Sequence, residues 1–578
     1  MFEVPPNDNG ESGFLARRLP ILHWLPRYSK SWLTGDIVAG LSVWALMVPQ
    51  ALGYAAISGV PVQYGLYAAA IGLIVYAFFA SSPHVVTGPS SAIAAVTGAA
   101  VLSVARAGSS EAIALVAAIT LLAGLILIFL SILKMGWVSN FLAESVLTGF
   151  IFGIGIEVAV GQLKHISGTK VAGENCWSKL MQLAESLPQA HATTLLVGII
   201  ALAILFTLKI FAPKVPSALV ALVLGIGAST ILDLQGMGVA VVGKVPQGFP
   251  TPATPVIGLI TENSSLVVTT AICVVLVGFS ESLAAARQYA TKYHYDIDVN
   301  QEMLAQGMAN VTAGIFQSIN VSGSLSKSSV NVASGGRSQM ASLAQGGFVI
   351  LTFLLLAPLF ANLPKAVLGA IVIQAVVFGL MDVKAMKRIY RLNRTEFKVG
   401  IIALLSVLTF GTLQGVINGL LMSLAVLVAR VSKPEIPVLG RLPGTNVYHR
   451  LESHQDSETY PGLVIIRFDG PLFFATTNAL RDKVRSLTRG ATPAVKTILI
   501  DMEGVDNIDL QGADMLSEIT ENMKNTGVAI HIARVKQAVM SRLKKVGVDQ
   551  VIGPDRIHNR VFEAVNVITT QLEPETQQ

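Results

Sequence analysis

The chain has 578 residues, of which 52% are hydrophobic and only 13% are charged. Charged residues make up about a quarter of an average soluble domain, so this composition excludes an ordinary soluble protein and indicates a membrane protein with several spans. The formal net charge of +6 is explained by basic residues on the cytoplasmic side of a membrane, and it does not indicate nucleic-acid binding. The cysteines, Cys176 and Cys273, lie too far apart to indicate a disulfide framework or a metal site.

Apolar segments recur from residue 36 to residue 430 and predict an α-helical polytopic membrane domain. Several approach the roughly 20 apolar residues that a helix needs to cross a bilayer, and they lack the alternation of barrel strands. We place about fourteen segments, some of them shorter than that norm. Their predicted starts lie near residues 36, 64, 88, 111, 138, 192, 216, 265, 300, 323, 338, 364, 397 and 413.

Basic residues fall in alternate loops of this arrangement. Arg18 and Lys30 precede the first segment, and Arg287, Arg337 and the run 384–398 lie in later loops of the same parity, whereas "SGVPVQYG" and "FQSIN" lack Lys and Arg. Because Lys and Arg concentrate on the cytoplasmic side, both termini are predicted to be cytoplasmic, in a plasma or inner membrane. The polar start, "MFEVPPNDNGESGF", predicts no cleavable signal peptide.

Hydropathy falls after Val431, which predicts a second domain. We assign an N-terminal cytoplasmic segment to 1–35, the transport domain to 36–430, a Pro/Gly linker to 431–457, a cytoplasmic domain to 458–573 and a tail to 574–578. In the cytoplasmic domain, strand-like runs such as "GLVIIRFDG", "VKTILIDME" and "VAIHIAR" alternate with amphipathic helical runs. This order predicts a small α/β domain.

Two segments, 86–101 and 322–336, are too short and too polar to cross a membrane alone. Pro89 suits the opening turn of the first helix, and Ser322 or Ser324 can cap the second. Broken helices at corresponding positions of two halves, here the third and tenth segments, are typical of transporter substrate sites. Their free N–H groups and positive dipole ends would bind an anion. Close packing of helices through small residues is the alternative explanation of the serines and glycines.

Two ionisable residues lie within such segments, Lys327 and Glu281. Intramembrane charges indicate function, so Lys327 is predicted to add positive potential to the anion site and Glu281 to carry a proton or pair with a cation. A structural ion pair between these two residues is the alternative. Glu157 is a weaker candidate because its segment ends soon afterwards.

The runs "VPQALGYAAISGVPVQYGLYAA" (48–69), "GPSSA" (88–92), "ESLAAARQYATKYHYDIDVNQEMLAQGMANVTAGIFQS" (281–318) and "SGSLSKSSVNVASGGRSQ" (322–339) follow one another. In this order they closely resemble the SulP family of anion transporters, and the terminal domain resembles a STAS domain. The resemblance implies two inverted repeats of seven spans, a core domain that moves against a gate domain, and a homodimer. It also implies a substrate site between the third and tenth half-helices, made by Gln50, Tyr54, Ser90, Ser91, Ser324, Leu325, Ser326 and Lys327.

The chain departs from its apparent relatives at two places. Glu281 stands where bicarbonate-transporting relatives have an aspartate of a sodium site, and Ala285 stands where they have a threonine. The missing threonine oxygen makes proton coupling through Glu281 the expectation. In the STAS-like domain, Leu510 and Gln511 stand where soluble relatives have two serines, so phosphorylation is not expected there.

These observations predict a secondary active transporter of a small inorganic anion, with sulfate–proton symport the preferred assignment and lipids and a second copy of the chain as partners. The alternatives are a bicarbonate or C4-dicarboxylate transporter, an anion exchanger or channel and, from another class, a membrane-anchored sensor or scaffold acting through the STAS-like domain. The sequence contains no nucleophile–base constellation, metal-ligand spacing or P-loop. Neither enzymatic activity nor catalytic residues, a metal or a cofactor are therefore expected.

Overall fold

Apolar helices make up most of the chain between residues 33 and 431. The computed structural model describes residues 18–136 and 144–572, apart from 170, 172, 174, 214, 254–256, 454–455 and 490–493. Half of the predicted N-terminal segment, the predicted start near 138 and the predicted tail 574–578 lie outside the described residues. Within these ranges, seven helical stretches are long and apolar enough to cross a membrane, and shorter apolar helices lie between them.

The membrane segments form two halves. The first half contains α1 (Leu33–Ile57), α2 (Gln63–Phe79), β1 (Val86–Pro89), α3 (Ser91–Val101), α4 (Ser110–Ile132), α5 (Glu144–Ser167), α6 (Cys176–Ser186), α7 (Ala192–Phe211) and α8 (Ser217–Ile231). The second contains α9 (Ile257–Glu262), α10 (Ser264–Tyr293), α11 (Val299–Ile315), β2 (Val321–Ser324), α12 (Leu325–Ala333), α13 (Met340–Leu351), α14 (Lys365–Gly379), α15 (Val383–Leu392), α16 (Arg394–Phe410) and α17 (Thr412–Val431).

Among the described residues, each half contributes seven segments when each strand is counted with the helix that follows it and the short helices α6, α9 and α15 are left out. The third segment of each half is the interrupted one, β1 with α3 and β2 with α12. These equivalent strands pair antiparallel, so equivalent parts of the two halves run in opposite directions. The predicted fourteen-segment fold with two inverted halves is confirmed.

Glycines allow several of these helices to approach closely. A Cβ atom on Gly149 of α5 would lie 1.9 Å from the carbonyl oxygen of Gly400 on α16, and one on Gly65 of α2 would lie 2.0 Å from that of Ala51 on α1. Because neither position has room for a side chain, the backbones themselves are in contact, as is common between membrane helices. Small residues therefore serve helix packing in segments away from the two interrupted ones.

The chain divides into two compact units, residues 1–423 and 424–578. The second unit contains a six-stranded sheet in the order β4-β3-β5-β6-β7-β8, in which β5 to β8 are parallel. Its strands are β3 (Val438–Arg441), β4 (Tyr448–Arg450), β5 (Leu463–Arg467), β6 (Thr497–Asp501), β7 (Ala529–Ala533) and β8 (Ile557–His558). Its helices are α18 (Thr477–Thr488), α19 (Leu510–Asn525), α20 (Gln537–Val546), α21 (Val548–Ile552) and α22 (Val561–Leu572).

Both faces of this sheet are buried, because alternate side chains of a strand point to opposite faces. Ile498 and Ile500 of β6 pack with α18 to α21, whereas Leu499 between them packs with α22. Central parallel strands covered on both faces are continuous apolar runs, which is why "TILID" was recognisable as a strand. The predicted α/β domain is confirmed.

The predicted linker, 431–457, differs from the structure because it contains β3 and β4. Val438 and Leu439 of β3 pair antiparallel with Ile466 and Ile465 of β5, so the sheet begins before the predicted domain start at residue 458. Pro434, Pro437, Pro443 and Gly444, which indicated a linker, lie outside the strands, whereas Gly440 lies within β3 and pairs with His449 of β4.

Candidate functional site

Both interrupted segments meet in a two-stranded ribbon. Val86 of β1 pairs with Ser324 of β2, and Pro89 pairs with Val321. The half-helices α3 and α12 each begin directly after their strand, so they leave the ribbon from its opposite ends. This pairing satisfies backbone groups that a short helix inside a membrane would otherwise leave without partners.

The expected local roles of three residues are corrected by this ribbon. Pro89 is the last residue of β1 and precedes the helix, and Ser322 lies within β2. Ser324 occupies the N-cap position of α12, but its side chain forms no capping hydrogen bond there. Its hydroxyl instead lies 3.1 Å from that of Ser326. Ser324 therefore occupies an expected cap position without the expected side-chain hydrogen bond, and strand pairing places Ser322 outside the helix.

Lys327 of α12 connects the two half-helices. Its side chain is buried, with 2% of its surface exposed, and Nζ donates a hydrogen bond to the carbonyl oxygen of Pro89. Nζ also lies 5.7 Å from the centroid of the Tyr54 ring, within the range of a cation–π interaction. A cation carried by the tenth segment is thus placed at the start of the third.

Glu281 of α10 reaches the same place from another helix. Ser90, the N-cap residue of α3, donates its hydroxyl to Oε2 of Glu281 across 2.9 Å. Glu281 and Lys327 attract each other electrostatically, but no direct ion pair between their side chains forms within the described part of the chain. They instead contact consecutive residues, Ser90 and Pro89.

The remaining predicted site residues fall into two groups. Tyr54 of α1 is buried beside Lys327, and Ser91 is the first residue of α3, directly after Ser90. Gln50 is buried one turn earlier on α1, but none of the described hydrogen bonds joins it to the others. At the start of α12, Leu325 and Ser326 are exposed. Tyr54 and Ser91 therefore join Ser90, Glu281 and Lys327 around the start of α3, whereas residues 324–326 lie at the other half-helix.

Two amides that sequence reasoning missed fasten the ribbon to α11. Gln306 donates from Nε2 to the hydroxyls of Thr87 and Ser282, each at 2.8 Å. One turn later, Asn310 donates to the carbonyl oxygen of Val321 at 2.9 Å and accepts from its N–H at 3.0 Å. Their signal was a pair of amides four residues apart in an apolar segment, which places both on one face of a helix.

A buried carboxylate, Glu302 of α11, holds the chain just before β1. It accepts hydrogen bonds from Tyr76 at 2.6 Å, from the N–H of Ser81 at 2.9 Å, from its hydroxyl at 2.8 Å and from the N–H of Ser82 at 2.7 Å. These four hydrogen bonds compensate the buried carboxyl group for the loss of contact with water. Sequence reasoning missed this residue too, because it precedes the apolar part of its segment.

Together these contacts form a site of donors with few acceptors of its own. Hydrogen-bond donors come from the first turns of the two half-helices, from the serine hydroxyls and from Lys327. The helix ends and Lys327 also add positive electrostatic potential, and both properties suit a small oxyanion. Glu281 is the one acidic side chain among the residues grouped here, and it is bonded to one of those hydroxyls. The arrangement can therefore bind an anion next to a group able to take up a proton.

Comparison with known proteins adds to this geometry. The profile of the Sulfate permease family matches residues 33–431, and that of the STAS domain matches residues 454–565. The chain is 32% identical over 539 residues to a probable sulfate transporter of Mycobacterium tuberculosis, covering 93% of this chain and 96% of the relative. It is 28% identical over 570 residues to Sulfate transporter 4.1, chloroplastic, of Arabidopsis thaliana, covering 95% of this chain and 82% of the relative.

A solved structure is similar over nearly the whole length. Murine Solute Carrier 26 family member A9, an anion transporter captured in the inward-facing state, superposes with a TM-score of 0.86 at 25% identity, covering 98% of this chain and 96% of the other. The family profile spans well over half of the chain. It includes the half-helices α3 and α12 as well as the helices α10 and α11 that contact them. The chain therefore belongs to the sulfate permease family and carries a STAS domain after its membrane segments.

Proposed function

We propose that this protein is a secondary active transporter that moves sulfate together with protons. The two relatives compared above are named sulfate transporters, and the candidate site offers hydroxyl, backbone and lysine donors to an anion. The observation that supports the proposal is the hydrogen bond from Ser90 to Glu281, because Ser90 is a proposed anion-binding residue and a carboxylate can take up a proton.

The coupling of anion movement to proton movement is explained by the single hydrogen of the Ser90 hydroxyl. The Ser90 hydroxyl has a single hydrogen, and an ionised Glu281 engages it. When Glu281 takes up a proton, the carboxyl group supplies its own hydrogen, and the Ser90 hydroxyl becomes free to donate to the anion. The proton also offsets part of the charge that a divalent anion carries through a medium of low dielectric constant. Anion and proton then cross together.

We assign the movement to an elevator in which one group of segments, drawn from both halves, carries the site. Side chains of α11 and α12 hydrogen-bond to the ribbon, and Gln306 of α11 also bonds to Ser282 of α10. Gln339, just before α13, bonds to Ser82 and Val85 ahead of β1. The helices α10, α11 and α12 are the eighth, ninth and tenth of the fourteen segments. A site fastened to one group of helices can travel as a rigid body against the other segments.

The assembly and placement of the protein complete the proposal. We assign a homodimer, located in the plasma or inner membrane. Both termini are assigned to the cytoplasm, in line with the alternating basic loops. Within this assignment the STAS domain is cytoplasmic.

The test is uptake of radiolabelled sulfate into proteoliposomes that contain the purified full chain. Uptake should accelerate under an inward proton gradient, and unlabelled sulfate should compete better than bicarbonate, succinate or chloride. Stronger competition by bicarbonate or succinate would reassign the substrate. Flux of no tested anion would favour a sensor or scaffold that acts through the STAS domain.

A further inference from the structure

The short helix α15, between membrane segments α14 and α16, separates apolar from basic residues. Its sequence, "VKAMKRIYRL", places Val383, Met386 and Tyr390 along one face at helical spacing. Met386 and Ile389 are buried, and the helix packs on α16 and α5. Its basic residues, Lys384, Lys387, Arg388 and Arg391, are exposed. Helices of this kind lie at the boundary between lipid tails and headgroups.

An apolar groove lies beneath this helix, between α15, α16 and α5. Its volume is about 440 Å³, and its walls include Phe152, Met386, Phe397 and Leu404. Lys387 is the charged residue that lines it, and Tyr390 lies beside it. The groove therefore joins an apolar interior to a basic edge.

The charge around the groove is strongly positive. Residues 383–398 include six Lys or Arg residues and a single acidic residue, Glu396. The guanidinium of Arg394 lies 5.7 Å from the centroid of the Tyr390 ring, and this ring packs edge to face on Phe397 at 5.1 Å. The aromatic wall of the groove thus holds a further cation near its edge. Such clusters attract the phosphate groups of anionic lipids.

We propose that this groove binds an anionic phospholipid of the bilayer, with an acyl chain against Phe152, Met386 and Leu404 and the headgroup phosphate against Lys387 and the basic face of α15. A ligand with a long apolar part and a phosphate matches both the apolar walls and the basic edge. The bilayer supplies this ligand where α15 connects two membrane segments. The site is separate from the ribbon and does not depend on which anion is transported.

The test uses the full chain reconstituted into phosphatidylcholine vesicles that contain a trace of photoactivatable lipid, with the reactive group in the acyl chain. Photoactivatable phosphatidylglycerol should label peptides of α15 and α16 several-fold more than photoactivatable phosphatidylcholine. Leu404→Trp fills the groove and should remove most of this labelling. Leu405→Trp is the matched control, because Leu405 is the next residue on α16, is largely exposed and does not line the groove.

The basic edge is tested by the combined change Lys387→Gln, Arg388→Gln and Arg391→Gln, which should make the two lipids label equally. Equal labelling of the wild type by both lipids would overturn the proposal, as would labelling that Leu404→Trp leaves unchanged. If Leu404→Trp does not fold, competition on the wild type decides: unlabelled phosphatidylglycerol should displace the label and phosphatidylcholine should not.

Discussion

Ser90 donates its hydroxyl to Oε2 of Glu281 across 2.9 Å. The two residues are 191 positions apart, yet they join the N-cap of one half-helix to the carboxylate of α10. Lys327, from the other half-helix, is hydrogen-bonded to the neighbouring residue, Pro89. A single hydrogen bond therefore joins the proposed proton site to the proposed anion site. Glu281 and the anion-binding residues can be substituted separately to test each role.

Glu281→Gln should separate sulfate movement from the proton gradient. The amide resembles the protonated carboxyl group in size and cannot exchange a proton, so sulfate binding should persist while acceleration by an inward proton gradient is lost. Exchange of internal for external sulfate should continue. The measurement is radiolabelled uptake and counterflow in proteoliposomes with and without the gradient. A well-folded variant whose sulfate uptake still follows the proton gradient would contradict the coupling role of Glu281.

The same variant distinguishes the proton site from a structural ion pair. Breaking a buried ion pair costs about 3–5 kcal/mol, because the remaining charge loses its partner. Since Glu281 bonds to Ser90 and not directly to Lys327, the melting temperature of Glu281→Gln should stay close to that of the wild type. Glu111→Gln, at an exposed position in the first turn of α4, is the control. A large drop confined to Glu281→Gln would favour the ion pair.

Lys327→Ala should weaken anion binding more than Lys327→Arg does. The lysine is buried beside the start of α3, where a positive charge is poorly screened, so its removal should cost about 1–3 kcal/mol of binding free energy, or roughly fivefold to 150-fold in Kd. Sulfate titration followed by calorimetry measures this difference. Lys209→Ala, at the exposed end of α7, should leave affinity unchanged. Equal affinity of the wild type and Lys327→Ala would leave binding to the dipoles and serines alone.

Glu302→Gln should destabilise the first unit and loosen the ribbon. The carboxylate accepts from Tyr76, from Ser81 twice and from the N–H of Ser82, and the amide offers only one acceptor atom to these donors. The amide oxygen can retain the three bonds that Oε1 accepts, so Tyr76 is the donor that loses its acceptor, and the free energy of unfolding should fall by about 1–3 kcal/mol. The melting temperature of the protein in detergent and its affinity for sulfate should both fall. An unchanged melting temperature would show that Glu302 does not hold the chain before β1.

The second unit should lose stability in acid through a histidine pair. Nδ1 of His531 lies 3.0 Å from Nε2 of His558, and their rings stack at 5.3 Å. Burial first, and then the neighbouring His558 and Arg556, lowers the pKa of His531 from 6.5 to about 4. Burial also lowers the pKa of His558, which the nearby Glu563 opposes.

The direction of this pH dependence follows from proton binding in the two states. Between pH 6.5 and 4 the unfolded chain binds a proton at His531 that the folded unit excludes, so stability is complete above 6.5 and is lost as the pH falls through this window. The loss should be about 1–2 kcal/mol after allowance for partial screening by solvent. Urea unfolding of residues 432–578, which have their own two cores, at neutral and acidic pH measures it. His531→Gln should reduce the loss; an equal loss in this variant would assign it to other groups.

Much of the architecture follows from local sequence alone. The length and apolarity of a segment are properties of consecutive residues. The fourteen segments, two of which are interrupted, could therefore be located without a structure. The same holds for the central strands of the STAS domain. Lys327 and Glu281 were recognisable because a charge in an apolar segment is costly wherever the chain folds.

Only the tertiary structure decided what these residues contact. The β1–β2 ribbon joins residues more than two hundred positions apart, and it changed the expected roles of Pro89, Ser322 and Ser324. The same cause placed β3 in the predicted linker, because its strand is defined by pairing with β5. A strand pair or a buried hydrogen bond depends on which distant groups are brought within about 3 Å of each other, and a local pattern of residue types does not contain that distance.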